Sequence, residues 1–91
     1  MIPHWDEDTR TLWYGQQRVK RYQTHAENQI AIIRELESLG WPSRIDDPLP
    51  PVFQKPPKLR LNETIKRLNH GQKLIRFRGD GTGEGVLWEV R

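Results

Sequence analysis

Cysteine is absent from the 91 residues, which removes disulfides and thiolate zinc ligands and with them the cross-linked secreted scaffold and the zinc finger. Long apolar runs are missing too: nothing approaches the roughly 20 residues of a membrane-spanning helix. Met1-Ile2-Pro3-His4-Trp5-Asp6 lacks the basic and apolar regions of a signal peptide. The expectation is a soluble, cytoplasmic protein with no membrane partner. Histidine is scarce, and His4, His25 and His70 stand too far apart in sequence to show metal-ligand spacing. A chain of this length folds as one domain, 1–91, with a small core, which leaves little room for a deep enzymatic pocket.

Charge is present but unevenly spread. Residues 1–50 hold six Lys/Arg against eight Asp/Glu, whereas residues 51–91 hold nine against four, so a net +3 divides into −2 and +5. Such a split suits a polyanion approaching the C-terminal part, because each neutralised phosphate releases counterions. Ordinary surface charge is the competing explanation.

Periodicity gives the elements. Thr9 to Tyr22 places aromatic and β-branched residues on either side of Gly15-Gln16, as two short strands around a turn, anchored by Leu12, Tyr14, Val19 and Tyr22. Thr24-His25-Ala26-Glu27 matches a capping box. Ala26, Ile30, Ile33, Leu36 and Leu39 then recur at helical spacing until Gly40 and Trp41-Pro42 end the helix. Six of the seven prolines fall between Pro42 and Pro57, which predicts an extended connection pinned to the core through Ile45, Leu49, Val52 and Phe53. Lys58 to Gln72 reads as a second helix with Leu61, Ile65 and Leu68 inward and Arg60, Asn62, Glu63, Lys66, Arg67, Asn69 and His70 outward. Leu74–Arg78 and Val86–Val90 alternate as a terminal hairpin, with Gly79-Asp80-Gly81-Thr82-Gly83-Glu84-Gly85 at its tip. The fold class expected is therefore α+β: an N-terminal β-hairpin, two main helices and a C-terminal β-hairpin.

The glycine tip invites a phosphate-cradle reading, but no Gly-Lys-Ser/Thr follows and the next element is a strand. Asp80, Thr82 and Glu84 alternate without the twelve-residue calcium pattern. No cofactor is expected. Asp6-Glu7-Asp8 and Asp46-Asp47 are adjacent acids of the kind that solvate or cap loops, so the chain reads as a non-enzyme. Trp5, Trp13, Trp41 and Trp88 lie near element ends, where large rings close small cores. Trp13, Tyr14 and Tyr22 alternate with Arg10, Arg18, Lys20 and Arg21, which would suit single strands if the rings were exposed together.

The order of these elements resembles the winged-helix output domain of bacterial response regulators. The likeness runs through Leu12 to Val19, Thr24 to Leu36, Leu61 to Leu68 and Ile75 to Gly81. It rests on pattern rather than on a diagnostic motif. The chain also looks like short stand-alone bacterial proteins sharing the Gly-Trp-Pro, Ile-Asp-Asp-Pro-Leu-Pro and Gly-Asp-Gly-Thr-Gly segments. In the winged-helix family the helix before the hairpin enters the major groove and the hairpin, the wing, touches the backbone beside it. The resemblance implies a duplex DNA-binding regulator of transcription or chromosome structure. Lys58, Arg60, Lys66, Arg67, Lys73, Arg76 and Arg78 would hold phosphates, and a subset of Asn62, Lys66 and Asn69 would read bases. The family's middle helix has no counterpart here, since the proline-rich run leaves space for only a short turn. The alternative is a winged-helix adaptor that docks another protein subunit through that proline-rich segment and touches no nucleic acid.

Overall fold

The computed structural model describes residues 1–91, in the order β1 (Pro3–Asp6), β2 (Thr11–Tyr14), β3 (Gln17–Arg21), α1 (Glu27–Ser38), β4 (Arg44–Asp46), α2 (Pro57–Asn69), β5 (Ile75–Gly79) and β6 (Gly85–Val90). The strands form two antiparallel three-stranded sheets, ordered β1-β2-β3 and β4-β6-β5. One cluster of 17 buried apolar residues draws on both sheets and both helices.

The β2–β3 hairpin turns where expected, with Gly15 in the left-handed region at φ +60° that a side chain would disfavour. Leu12, Val19 and Tyr22 are buried. Strand β1 was not anticipated, because four residues opening on proline carry too short an alternation to register. It pairs with β2 through Trp5 and Leu12. The Trp5 amide donates to Glu37 Oε1 at 2.8 Å, so a side chain of α1 covers part of the sheet edge.

Helix α1 departs from the capping-box reading. It begins at Glu27, with Ala26 in the cap position and no side-chain cap. The Ala26 amide donates to Gln23 O at 3.0 Å, and this turn out of β3 holds Thr24 away from the helix start. Its C-terminus is a Schellman motif: Gly40 N donates to Glu37 O at 3.2 Å and Trp41 N to Leu36 O at 2.7 Å, with Gly40 at φ +79°. Because the helix has ended, Leu39 turns to solvent rather than into the core, and Trp41 takes the buried place. The indole Nε1 of Trp41 donates to Glu37, and its ring meets Trp88 edge-on with centroids 5.4 Å apart.

The proline-rich connection is pinned at only two of the four expected points. Ile45 sits on β4 opposite Val86 of β6, and Leu49 is buried, but Val52 and Phe53 are exposed. The chain arches away from the core after Leu49, turns between Val52 and Lys55, and returns at Pro57. No helix intervenes between α1 and α2.

Helix α2 opens on Pro57, whose missing N–H costs nothing at a helix start. It stops at Asn69 rather than Gln72, because His70 is extended and Gly71 takes φ +78°. Gln72 is buried instead. Its Oε1 accepts from the amides of Leu74 and Ile75, and its Nε2 donates to Ile75 O, which starts β5. Ile75, Phe77 and Val86 then face the core as the alternation predicts, while Val90, expected on the same inward face, is exposed at the end of β6.

Candidate functional site

Strand β5 lies along α2, and a groove of about 570 Å³ runs between them. Lys66, Arg76, Arg78 and Arg91 line it together with Asn62, and Glu63 is the single acid in its wall. The arrangement follows from two periodicities. Asn62 and Lys66 share a helical face at i, i+4, while Arg76 and Arg78 share the outer face of β5. Their sheet neighbour on β6 is Glu89, paired with Arg76 in register. Its Oε1 lies 4.0 Å from Arg76 Nη1 and 3.7 Å from Arg78 Nε, so one exposed carboxylate is shared by two guanidiniums. Such long surface contacts leave both arginines free to re-pair with another anion.

Glu63 is already engaged. Lys55 bonds its carboxylate and holds its pKa below the ordinary range. The groove wall therefore presents four cations against one neutralised acid, with Glu89 of β6 loosely shared by two of those cations from outside the wall.

Arg91 escaped the sequence reading. Its amide donates to Leu74 O at 3.0 Å, which continues the β5–β6 ladder one step beyond β6 and carries the side chain into the groove. The register that places it there, Ile75 opposite Val90 and so Leu74 opposite Arg91, is set by the folded tip and not by the alternation of the two strands.

The structure breaks the remaining expected set apart. Arg60 was placed outward among the phosphate ligands, yet it is 3% exposed. Its Nη2 donates to Leu49 O at 3.1 Å and lies 3.5 Å from Asp47 Oδ2, while Nε and Nη1 have no partner. The proline-rich arch folds over this flank of α2, which widens the buried stripe beyond Leu61, Ile65 and Leu68 to include Arg60 and Thr64. A phosphate cannot reach it. Asn69 was assigned to base reading, but its Nδ2 donates to Phe77 O at 2.8 Å and its Oδ1 accepts from Phe77 N at 2.9 Å. Both ends of the amide are consumed in tying α2 to β5.

Lys66 and Arg67, adjacent in sequence, fall on different sides. Arg67 and His70 line a second groove of about 690 Å³, with Lys20, Arg21 and His25 on its opposite wall. Lys20 is not free there. Its Nζ donates to Arg67 O at 2.9 Å and His70 O at 2.6 Å, sits over the Tyr22 ring, and has its pKa lowered by burial. A lysine thus caps two carbonyls at the end of α2. Lys58 is exposed beside the hairpin tip, its stem against Gly83, and Lys73 is exposed in the turn from α2 to β5. Neither lines the β5 groove.

The tip is a closed turn rather than an open cradle. Asp80 accepts from Thr82 N at 2.9 Å, Thr82 Oγ1 at 2.6 Å and Arg44 Nε at 2.7 Å, and these donors hold its pKa well below the carboxylate range. Asp80 is thereby spent inside the fold. Other acids are engaged in the same way. Asp6 Oδ1 accepts from the amides of Asp8 and Thr9, and Asp47 Oδ1 from Leu49 N. No three His, Cys, Asp or Glu side chains converge as metal ligands.

The aromatic rings are not exposed together. Tyr22 is buried and its hydroxyl donates to Leu68 O at 3.1 Å, and burial pushes its pKa up. Trp5 packs edge-on against it with centroids 6.0 Å apart. A joint stacking platform of Trp13, Tyr14 and Tyr22 is therefore absent. Comparison of the chain with protein families, curated proteins and solved structures finds no match.

Proposed function

We propose that this protein binds duplex DNA through the α2–β5 groove, as a small winged-helix-like regulator of transcription or chromosome structure working in the cytoplasm. The observation that carries the reading is the convergence of Lys66, Arg76, Arg78 and Arg91 on one groove whose only acid is already paired. Phosphates would lie along the arginine strand, and Asn62 and Lys66, exposed at the adjoining helix face, would meet base edges. A terminal ribbon packed along a basic helix supports the winged-helix likeness. No helix of the chain is long and apolar enough to cross a membrane.

Affinity for random-sequence duplex over a salt series tests the proposal. Log affinity is expected to fall steeply with log salt concentration. Replacing Arg76 and Arg78 with Ala reduces the slope by about two contacts' worth. No detectable binding at low salt would end the proposal.

A further inference from the structure

The apex of the proline-rich arch is the least expected surface of the molecule. Phe53 is 89% exposed, the largest value for any large apolar side chain here, and Val52 beside it is half-exposed. Most such rings are pulled into the core, and this one is held out of it. Lys55 N donates to Val52 O at 3.3 Å, closing a four-residue turn in which Gln54 takes φ +64°, a left-handed conformation uncommon for a residue with a side chain. Pro50-Pro51 and Pro56-Pro57 restrict the chain on both sides. Behind the turn, Lys55 is bonded to Glu63 of α2, and Arg60 bonds Leu49 at the foot of the arch. The ring is therefore carried on a stiff mount.

That mount stands at the edge of the α2–β5 groove. Glu63, to which the turn is tied, forms part of the groove wall, and so does Leu59 just after the arch returns. Along the chain the next polar residues are Gln54, Lys55, which is paired with Glu63, and the exposed Lys58 at the start of α2. We propose that Phe53 is an apolar wedge that enters the base stack of a duplex lying in that groove. The inference rests on the DNA-binding reading above. Area decides between occupants. Even with the half-exposed Val52 and Leu59 beside it, a patch built on one ring of about 150–250 Å² falls well short of the roughly 800 Å² that each partner gives a stable protein interface. One rigid ring at the edge of a groove lined by Lys66, Arg76, Arg78 and Arg91 fits a base step, where phenylalanine wedges partly unstack the duplex.

The test uses the full chain and a short random-sequence duplex carrying 2-aminopurine, whose fluorescence rises when its base is unstacked. The wild-type protein should raise the signal at saturation. Phe53→Ala should bind roughly tenfold more weakly and give no rise at saturation, while Phe53→Leu should keep part of it. Melting curves of both variants should match the wild type, since the ring contacts little. If Phe53→Ala binds and unstacks as the wild type does while Arg76→Ala with Arg78→Ala loses binding, the wedge is overturned and the groove reading stands. If the wild type binds no duplex at low salt, both fall. If sedimentation instead shows a dimer that Phe53→Ala dissolves, the knob serves a second copy of the chain, and the wedge is overturned.

Discussion

Asn69 makes a reciprocal pair of hydrogen bonds with the backbone of Phe77, donating to its carbonyl at 2.8 Å and accepting from its amide at 2.9 Å. One side chain thus occupies the edge position of β5 as a further strand would, and it fixes the height of the arginine strand relative to α2. Asn69→Ala leaves a part-buried donor and acceptor unpaired. It is expected to lower the unfolding free energy by about 2 kcal/mol, read from urea denaturation. Unchanged stability with a selective loss of sequence preference on DNA would restore Asn69 as a base reader.

Arg60 and Asp47 give an asymmetric pair of substitutions. The guanidinium is buried with two nitrogens unpartnered, so Arg60→Met removes a desolvation cost along with the contact to Leu49 and should change stability by less than about 1 kcal/mol. Asp47→Ala leaves the buried cation without its acid and removes the cap on Leu49 N, so a loss of about 3 kcal/mol is expected. Neither should alter the salt slope of DNA binding. A slope reduced by about one contact in Arg60→Met would put Arg60 back on the phosphate.

Arg60 and Asn69 also mark where the sequence was readable and where it was not. Helical spacing found Leu61, Ile65 and Leu68, and strand alternation found Ile75, Phe77 and Val86, because those patterns are local. Arg60 sits one step from the apolar stripe, and only the arch from Leu49 decides that it is covered. Asn69 looks like any outward polar residue until β5 is laid beside it. Lys66 and Arg67 are a basic pair in sequence, yet they open into separate grooves because β3 and the start of α1 come to lie against one flank of α2. Tertiary neighbours made each of these distinctions.

Acid sensitivity should come partly from Glu7. The Arg34 guanidinium, aided by a hydrogen bond from Trp5 Nε1, pulls its carboxyl down to about 2 from 4.5. A lowered folded-state pKa means the stabilisation is fully present above pH 4.5 and is lost as the pH falls toward 2. Both side chains are more than half exposed, so solvent screening holds the effect below about 1 kcal/mol. Glu7→Gln should flatten that part of the stability profile between those limits and leave stability near neutral pH slightly reduced. An identical acid profile in the variant would contradict the assignment.

Three glycines of the hairpin tip should rank in a definite order when each is changed to alanine. Gly81 has φ +94° and open space around it, so only the backbone preference is lost, at about 1 kcal/mol. Gly83 has φ +82° and a Cβ there would also press on Lys58 Cγ and Cδ at 2.9 Å and Cβ at 3.2 Å, the root of a helical side chain, so its cost should exceed that of Gly81. Gly85 needs no positive φ; its missing side chain leaves the space through which Arg44 reaches Asp80, and a Cβ would overlap both. That overlap falls on an ion pair tying β4 to the tip, so Gly85→Ala should cost the most, about 3 kcal/mol. It should also raise the Asp80 carboxyl pKa, but only in part, because the two Thr82 hydrogen bonds depress it more than Arg44 does. For a domain of this size each kcal/mol lowers the melting temperature by about 4–8 °C, so the three melts are resolvable. A Gly85→Ala protein melting no lower than Gly81→Ala would show that the tip rearranges freely, and that the Arg44–Asp80 contact does not hold it against β4.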